Sequence, residues 1–165
     1  MKSNARKIIR YISFLCAVLI MVFIFFMSSE NATESAETSG RFIKIISAIL
    51  NKNFDNMSEA ELEVYISKLQ FIVRKLAHFS VYFALGLSLS CGILTFDKPK
   101  LFYRSLIAFL IASLYSVTDE IHQYFVPGRS CEAKDVLIDS SGAFFGIAFI
   151  FIIYLIIKKY KNSYR

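Results

Sequence analysis

The chain has 165 residues, of which 56% are apolar and 19% charged, with 17 Phe, no Trp and a mean hydropathy of +0.52. That apolar share lies above the roughly 45–50% of soluble domains and excludes a disordered chain, while three Cys in this length exclude a disulfide scaffold. The net charge of +6 would suit nucleic acid if it were clustered on one domain, but its distribution reads instead as membrane topology.

A basic N-terminus, residues 1–10, carries Lys2, Arg6, Lys7 and Arg10. Residues 11–27 then run without a charge, long enough at about 1.5 Å per residue to cross most of a hydrocarbon core of about 30 Å. We read this first span as an uncleaved anchor, because Glu30 stands where a signal-peptidase site needs a small residue. Residues 28–39 are rich in Ser, Thr and Glu and read as a loop. From Arg41, the apolar Phe42, Ile45, Ile46, Ile49 and Leu50 recur at helical spacing, which predicts an amphipathic helix on the membrane surface. Asn51 to Asn56 should break it. Ser58 and Glu61 form a capping box for a second amphipathic helix through Leu62, Tyr65, Ile66, Leu69, Ile72 and Val73. Nothing stops that helix before the second span, residues 76–95.

The turn Asp97-Lys98-Pro99-Lys100 leads into span three, residues 101–118, where Arg104 is placed to snorkel to the headgroups. Span four covers residues 136–157, and a basic tail, 158–165, ends the chain. The expected fold is an all-α membrane protein of four transmembrane helices, with an outer amphipathic segment between helices 1 and 2; residues 11–157 form the domain. The two termini and the 97–104 turn hold eleven cations against one acid, so that side carries +10 and the other −4. By the positive-inside rule both termini are cytoplasmic, and residues 28–75 and 119–135 face outward. No nucleic-acid footprint remains. Cys16 and Cys91 lie within spans and Cys131 outside, so no intrachain disulfide is expected.

Ionisable residues gather at the outer ends of the spans, where each is costly. Arg74, His78 and Tyr82 are four apart on one helix face, with Lys75 beside them; interfacial anchoring and a ligand role are both open for the cations. Asp119, His122 and Gln123 share a face after span three, while Glu120 points about 100° away. An acid beside a His could orient the imidazole for proton transfer, ligate a metal or form an ordinary ion pair. Asp135, Asp139, Gly142 and Gly146 make one stripe entering span four. The glycines allow close helix packing, and Asp135 suits a helix N-terminus, which explains Asp139 a turn deeper less well. No His-x-x-x-His pair exists, so no metal site is assigned and any cofactor is left open; one would need His78, His122 and carboxylates gathered across helices.

In order and spacing, Arg74-Lys75-x-x-His78, Asp119-Glu120-x-His122-Gln123, Pro127-Gly128-Arg129 and Asp135-x-x-x-Asp139-x-x-Gly142-x-x-x-Gly146 resemble the VanZ-like family. These are small bacterial membrane proteins named for a teicoplanin-resistance protein. The resemblance is best over residues 71–150, and Ser28-Ser29-Glu30 stands where the family usually has Ser-Ser-Gln. It implies a plasma-membrane protein near the cell-wall precursor, associated with resistance to lipid-tailed glycopeptides, and transfers no catalytic role.

Three functions are compatible with these residues. An enzyme at the outer leaflet would use His122, oriented by Asp119, as acid/base, with Asp139 completing the site. Arg74, Lys75, His78, Glu120, Gln123, Arg129 and Asp135 would then bind a lipid-linked precursor or lipoglycopeptide. A non-catalytic module would bind membrane lipid, precursor or protein through the outward-facing polar pocket into which these residues are expected to converge. A transporter or proton relay would need a polar path inward, which the spans do not supply.

Overall fold

In the computed structural model, residues 2–50 and 57–163 are described and form five helices: α1 (Lys2–Ser28), α2 (Ala32–Leu50), α3 (Glu59–Ile93), α4 (Leu101–Tyr124) and α5 (Ala133–Ser163). No strand occurs among the described residues. Asn4–Ser28, Glu59–Ile93, Leu101–Tyr124 and Ala133–Lys161 are each long and apolar enough to cross a membrane. Large apolar side chains such as Leu15, Phe26, Leu114, Phe144 and Ile157 cover the outside of the bundle, as a hydrocarbon solvent permits. The chain is an all-α, multi-pass membrane protein.

The core is built from Tyr82, Leu85 and Leu89 of α3, with the small residues Ala108 and Ala112 of α4 and Ala143 of α5. Helices α3 and α5 meet backbone to backbone. A Cβ on Gly142 would lie 2.3 Å from the Phe79 carbonyl oxygen, one on Gly146 2.2 Å from that of Phe83, and one on Gly86 2.4 Å from that of Ala143. Small residues at such a seam are what association in lipid requires, since lipid gives apolar faces no reason to leave it for one another.

At the end carrying the chain termini, Arg6 pairs with Asp97 at 3.0 Å. Arg10 donates to Thr95 Oγ1 at 2.9 Å and lies 3.7 Å above the Phe96 ring. The N-terminus and the 97–100 turn therefore share one end of the bundle. Arg104 does not snorkel outward as expected. It is buried, and its guanidinium donates to the carbonyls of Leu94 and Phe96, which the end of α3 leaves without helical partners.

The segment 28–39, expected as a loop, is helical from Ala32. The reason is a reciprocal cap: the Glu34 amide donates to Asn31 Oδ1 at 2.9 Å and the Asn31 amide to Glu34 Oε2 at 3.0 Å. Ser35, Ser39, Ile43 and Ser47 form the buried stripe of α2, with Gln70 Nε2 of α3 donating to the Ala36 carbonyl at 3.1 Å and Ser47 to the Tyr65 hydroxyl at 3.2 Å. The expected apolar face, Phe42, Ile45, Ile46 and Ile49, is exposed. The expected break at Asn51 to Asn56 lies outside the described residues. Asn31→Ala should cost about 1 kcal/mol, read as faster amide exchange over the first turn of α2 with little change elsewhere.

The Ser58–Glu61 capping box forms as expected, with the Ser58 amide 2.9 Å from Glu61 Oε2 and the Glu61 amide 3.4 Å from Ser58 Oγ. The helix it starts runs without interruption through the second span. Its 35 residues reach about 52 Å, against a hydrocarbon core of about 30 Å. The first turns of α3 therefore stand beyond the bundle, with α2 packed along them.

Candidate functional site

Away from the termini, the end of α1, the middle of α3, the end of α4 and the start of α5 come together. Ser28 closes α1 and is buried; its hydroxyl donates to Asp119 Oδ2 of α4 at 3.0 Å. Gln123, one turn beyond Asp119, sends Nε2 to that same oxygen and to Ser28 Oγ, both at 3.1 Å. The i, i+4 spacing read from the sequence thus serves to hold one carboxylate from its own helix and from α1 at once.

Arg129 locks this arrangement. Its guanidinium donates to the Glu30 carbonyl at 3.0 Å, to Gln123 Oε1 at 3.3 Å and to the Met27 carbonyl at 3.3 Å. The turn that delivers it needs Gly128, whose φ is +75° and whose missing side chain leaves room for Ala32. The Ala32 amide donates to the Pro127 carbonyl at 3.3 Å. Ser-Ser-Glu, Asp-Glu-x-His-Gln and Pro-Gly-Arg are three motifs in sequence and one hydrogen-bonded unit in space.

Asp139 of α5 is fully buried. Its Oδ2 accepts from Ser116 Oγ of α4 at 3.3 Å, and its Oδ1 lies 3.5 Å from His78 Nδ1 of α3. His78, Asp119 and Asp139, one from each of three helices, offer ligand atoms all within 4.8 Å of one another. Tyr82, one turn below His78, is buried with its hydroxyl close to Ser116. Its position on the Arg74–His78 face is as the spacing implied.

The remaining candidates sit around this centre. Lys75 and Asp135 form a half-buried ion pair joining α3 to α5. Glu120 points to the start of α5, where its Oε2 accepts the Glu132 amide at 3.0 Å. Asp119 does not orient His122. The His122 ring stacks on Phe25 of α1 at 4.6 Å, and its Nε2 lies 3.0 Å from Ser29 Oγ. Because the single Ser29 hydroxyl proton is given to the Phe25 carbonyl at 2.7 Å, the ring nitrogen acts here as a donor to Ser29. That leaves the imidazole tying α1 to α4. Ser116, which sequence reasoning passed over, carried a readable signal: with Asp119 and Gln123 it occupies i, i+3 and i+7 of one helix face.

A cavity of about 290 Å³ opens beside this centre, between α1, α2 and α3. Its walls are chiefly apolar, from residues such as Ile24, Phe42 and Val81, and its polar side is formed by Arg74, His78 and Arg129 together with the acid Glu30. Asp119, Asp139 and Gln123 lie behind that side and do not line it. Among the described residues Arg74 makes no hydrogen bond or ion pair, and Arg129 donates only to neutral oxygens. Burial, and then the neighbouring Arg74 guanidinium, hold Arg129 below the ordinary arginine range; Glu30, Asp119 and Glu120 oppose this in part. Two cations therefore share one chiefly apolar cavity with a single acid, Glu30, and neither is hydrogen-bonded to a carboxylate.

No curated protein and no solved structure matches the chain. The family profile described as VanZ/LLP1 matches residues 13–156, taking in the second and third spans whole, most of the first and fourth, and every group of the network just described. With four membrane-crossing helices and this match over most of its length, the chain belongs to the VanZ/LLP1 family.

Proposed function

We propose that this protein sits in the bacterial plasma membrane with both termini cytoplasmic, and binds the anionic head of an outer-leaflet amphiphile in the cavity between α1, α2 and α3. The occupant is a membrane lipid or a lipid-linked cell-wall precursor. Its phosphate would lie between Arg74 and Arg129, and its first methylenes against Ile24, Phe42 and Val81. Protection against a lipid-tailed glycopeptide of the teicoplanin type would follow from changing what that drug meets at the membrane surface. One observation carries the reading: two guanidiniums, neither hydrogen-bonded to a carboxylate, on a cavity wall that is chiefly apolar and holds Glu30 as its one acid. Like charges placed together in a poorly solvated site favour an anion between them, and a guanidinium fork suits phosphate oxygens. The orientation rests on the cation count, eleven against one on the side of the termini.

The test uses the purified full chain in nanodiscs, with phosphatidylglycerol offered against zwitterionic phosphatidylcholine and bound lipid counted by native mass spectrometry. A charge-assisted contact is worth about 1.5–3 kcal/mol, so Arg74→Gln should weaken retention of the anionic lipid roughly 10- to 100-fold. Arg41→Gln, an exposed position on α2, should leave retention unchanged. Equal retention by wild type and Arg74→Gln would reject the reading. In cells, Arg74→Gln at wild-type abundance should lose whatever teicoplanin protection the parent gives.

A further inference from the structure

The geometry points to a divalent transition-metal site formed by His78, Asp119 and Asp139. Three different helices bring one imidazole and two carboxylates to within 4.8 Å of one another, so small side-chain rotations suffice to set them around a common centre at about 2.1 Å. One imidazole with two carboxylates suits Zn²⁺, Mn²⁺ or Fe²⁺ better than the all-oxygen shells of Mg²⁺ and Ca²⁺ or the sulfur-rich sites of Cu⁺.

A second, independent observation aims at a ligand. Asp139 is 0% exposed, yet its Oδ1 accepts no hydrogen bond among the described residues. His78 Nδ1 stands 3.5 Å from that oxygen, and a buried carboxylate oxygen without a hydrogen bond is expensive anywhere and more so within a membrane-spanning bundle. The other oxygen of each acid is already held by neutral donors: Ser116 on Asp139 Oδ2, Ser28 and Gln123 on Asp119 Oδ2. Donors that fix one oxygen and present the other are the arrangement found behind metal-ligating carboxylates.

Arg129 directs its hydrogen bonds to the Glu30 and Met27 carbonyls and to Gln123 rather than to either carboxylate. Three protein ligands leave coordination positions open, and His78 lines the cavity, so an exchangeable ligand would reach the ion from that side. The site does not depend on anion binding by Arg74.

The experiment takes the full chain in nanodiscs, strips it with chelator, and titrates Zn²⁺ alone and Mn²⁺ alone by calorimetry, with metal content read by mass spectrometry. One equivalent per chain is expected for at least one of the two ions. His78→Ala and Asp139→Asn should each lower affinity more than 100-fold, and Ser116→Ala roughly 10-fold. His122→Ala and Arg74→Gln should bind as wild type does. Co²⁺ should give visible d–d bands in wild type that His78→Ala lacks, a readout that survives should Asp139→Asn fold poorly. Wild-type protein that binds neither Zn²⁺ nor Mn²⁺ would overturn the site without any variant. So would binding that His122→Ala abolishes and His78→Ala does not.

Discussion

Gly146→Leu is expected to leave no stable, monodisperse protein in detergent. A Cβ at this position would stand 2.2 Å from the Phe83 carbonyl oxygen, 3.0 Å from the Leu87 nitrogen and 3.1 Å from the Phe83 carbonyl carbon. All three are backbone atoms of α3, so no rotamer change relieves the clash and the two helices must part. Overpacking of a yielding core costs about 1–3 kcal/mol; an unyielding backbone seam should exceed that, against a total stability of only about 5–15 kcal/mol. Lipid would not restore the contact, since it solvates the separated faces as well as they solvate each other. Gly40 provides the comparison. Its Cβ would meet Gln70 Nε2 at 3.5 Å and Ile66 Cγ2 at 3.7 Å, ordinary contact, so Gly40→Ala should match or slightly exceed wild type through its better helix propensity. Thermal unfolding and size-exclusion profiles of the two variants decide the matter; indistinguishable profiles would mean the α3–α5 seam is not close-packed.

Arg129→Ala should be the most damaging change outside the helices, lowering stability by about 3–5 kcal/mol. Its guanidinium reaches the Met27 and Glu30 carbonyls at the end of α1 and Gln123 of α4. Hydrogen bonds to a charged group are worth about 1.5–3 kcal/mol each and do not add fully. Without them the carbonyls at the end of α1 lose their donor, and Gln123 loses the contact that holds its amide toward Asp119. Arg129→Lys should recover only a minor part, because one ammonium cannot serve three acceptors spread in a plane. Amide exchange should rise over residues 28–32 and 124–130 together in both variants. Exchange confined to the α4–α5 turn would show that α1 does not lean on Arg129.

The four spans and the shared end of the ionisable residues were legible because both are written along single helices. Apolar runs mark the spans, and Arg74–His78, Asp119–Gln123 and Asp135–Asp139 each repeat at a helical interval. Helix α2 was misread from residues 28–39 because Ser, Thr and Glu suggest a loop by composition. The Asn31–Glu34 cap was present but lay in the part read as irregular, and the serines proved to be the packing face. His122 shows the other limit. Its neighbour in helical spacing is Asp119, but its partners are Ser29 and Phe25, set by where α1 ends against α4. Such inter-helix heights leave no mark on a lone sequence, and the approach of His78 to Asp139 across α3 and α5 is of the same kind.

Because the α3–α5 seam rests on main-chain atoms at Gly86, Gly142 and Gly146, α3 forms the fixed jamb of the cavity. On the opposite side α2 and α3 are joined by hydrogen bonds from Ser47 to Tyr65 and from Gln70 to the Ala36 carbonyl, with Ile43 and Ile66 buried on the two helices; such side-chain contacts yield more readily than main chain. Admitting a bulky guest would therefore displace α2 before α3, while the histidine and acids behind the jamb keep their spacing.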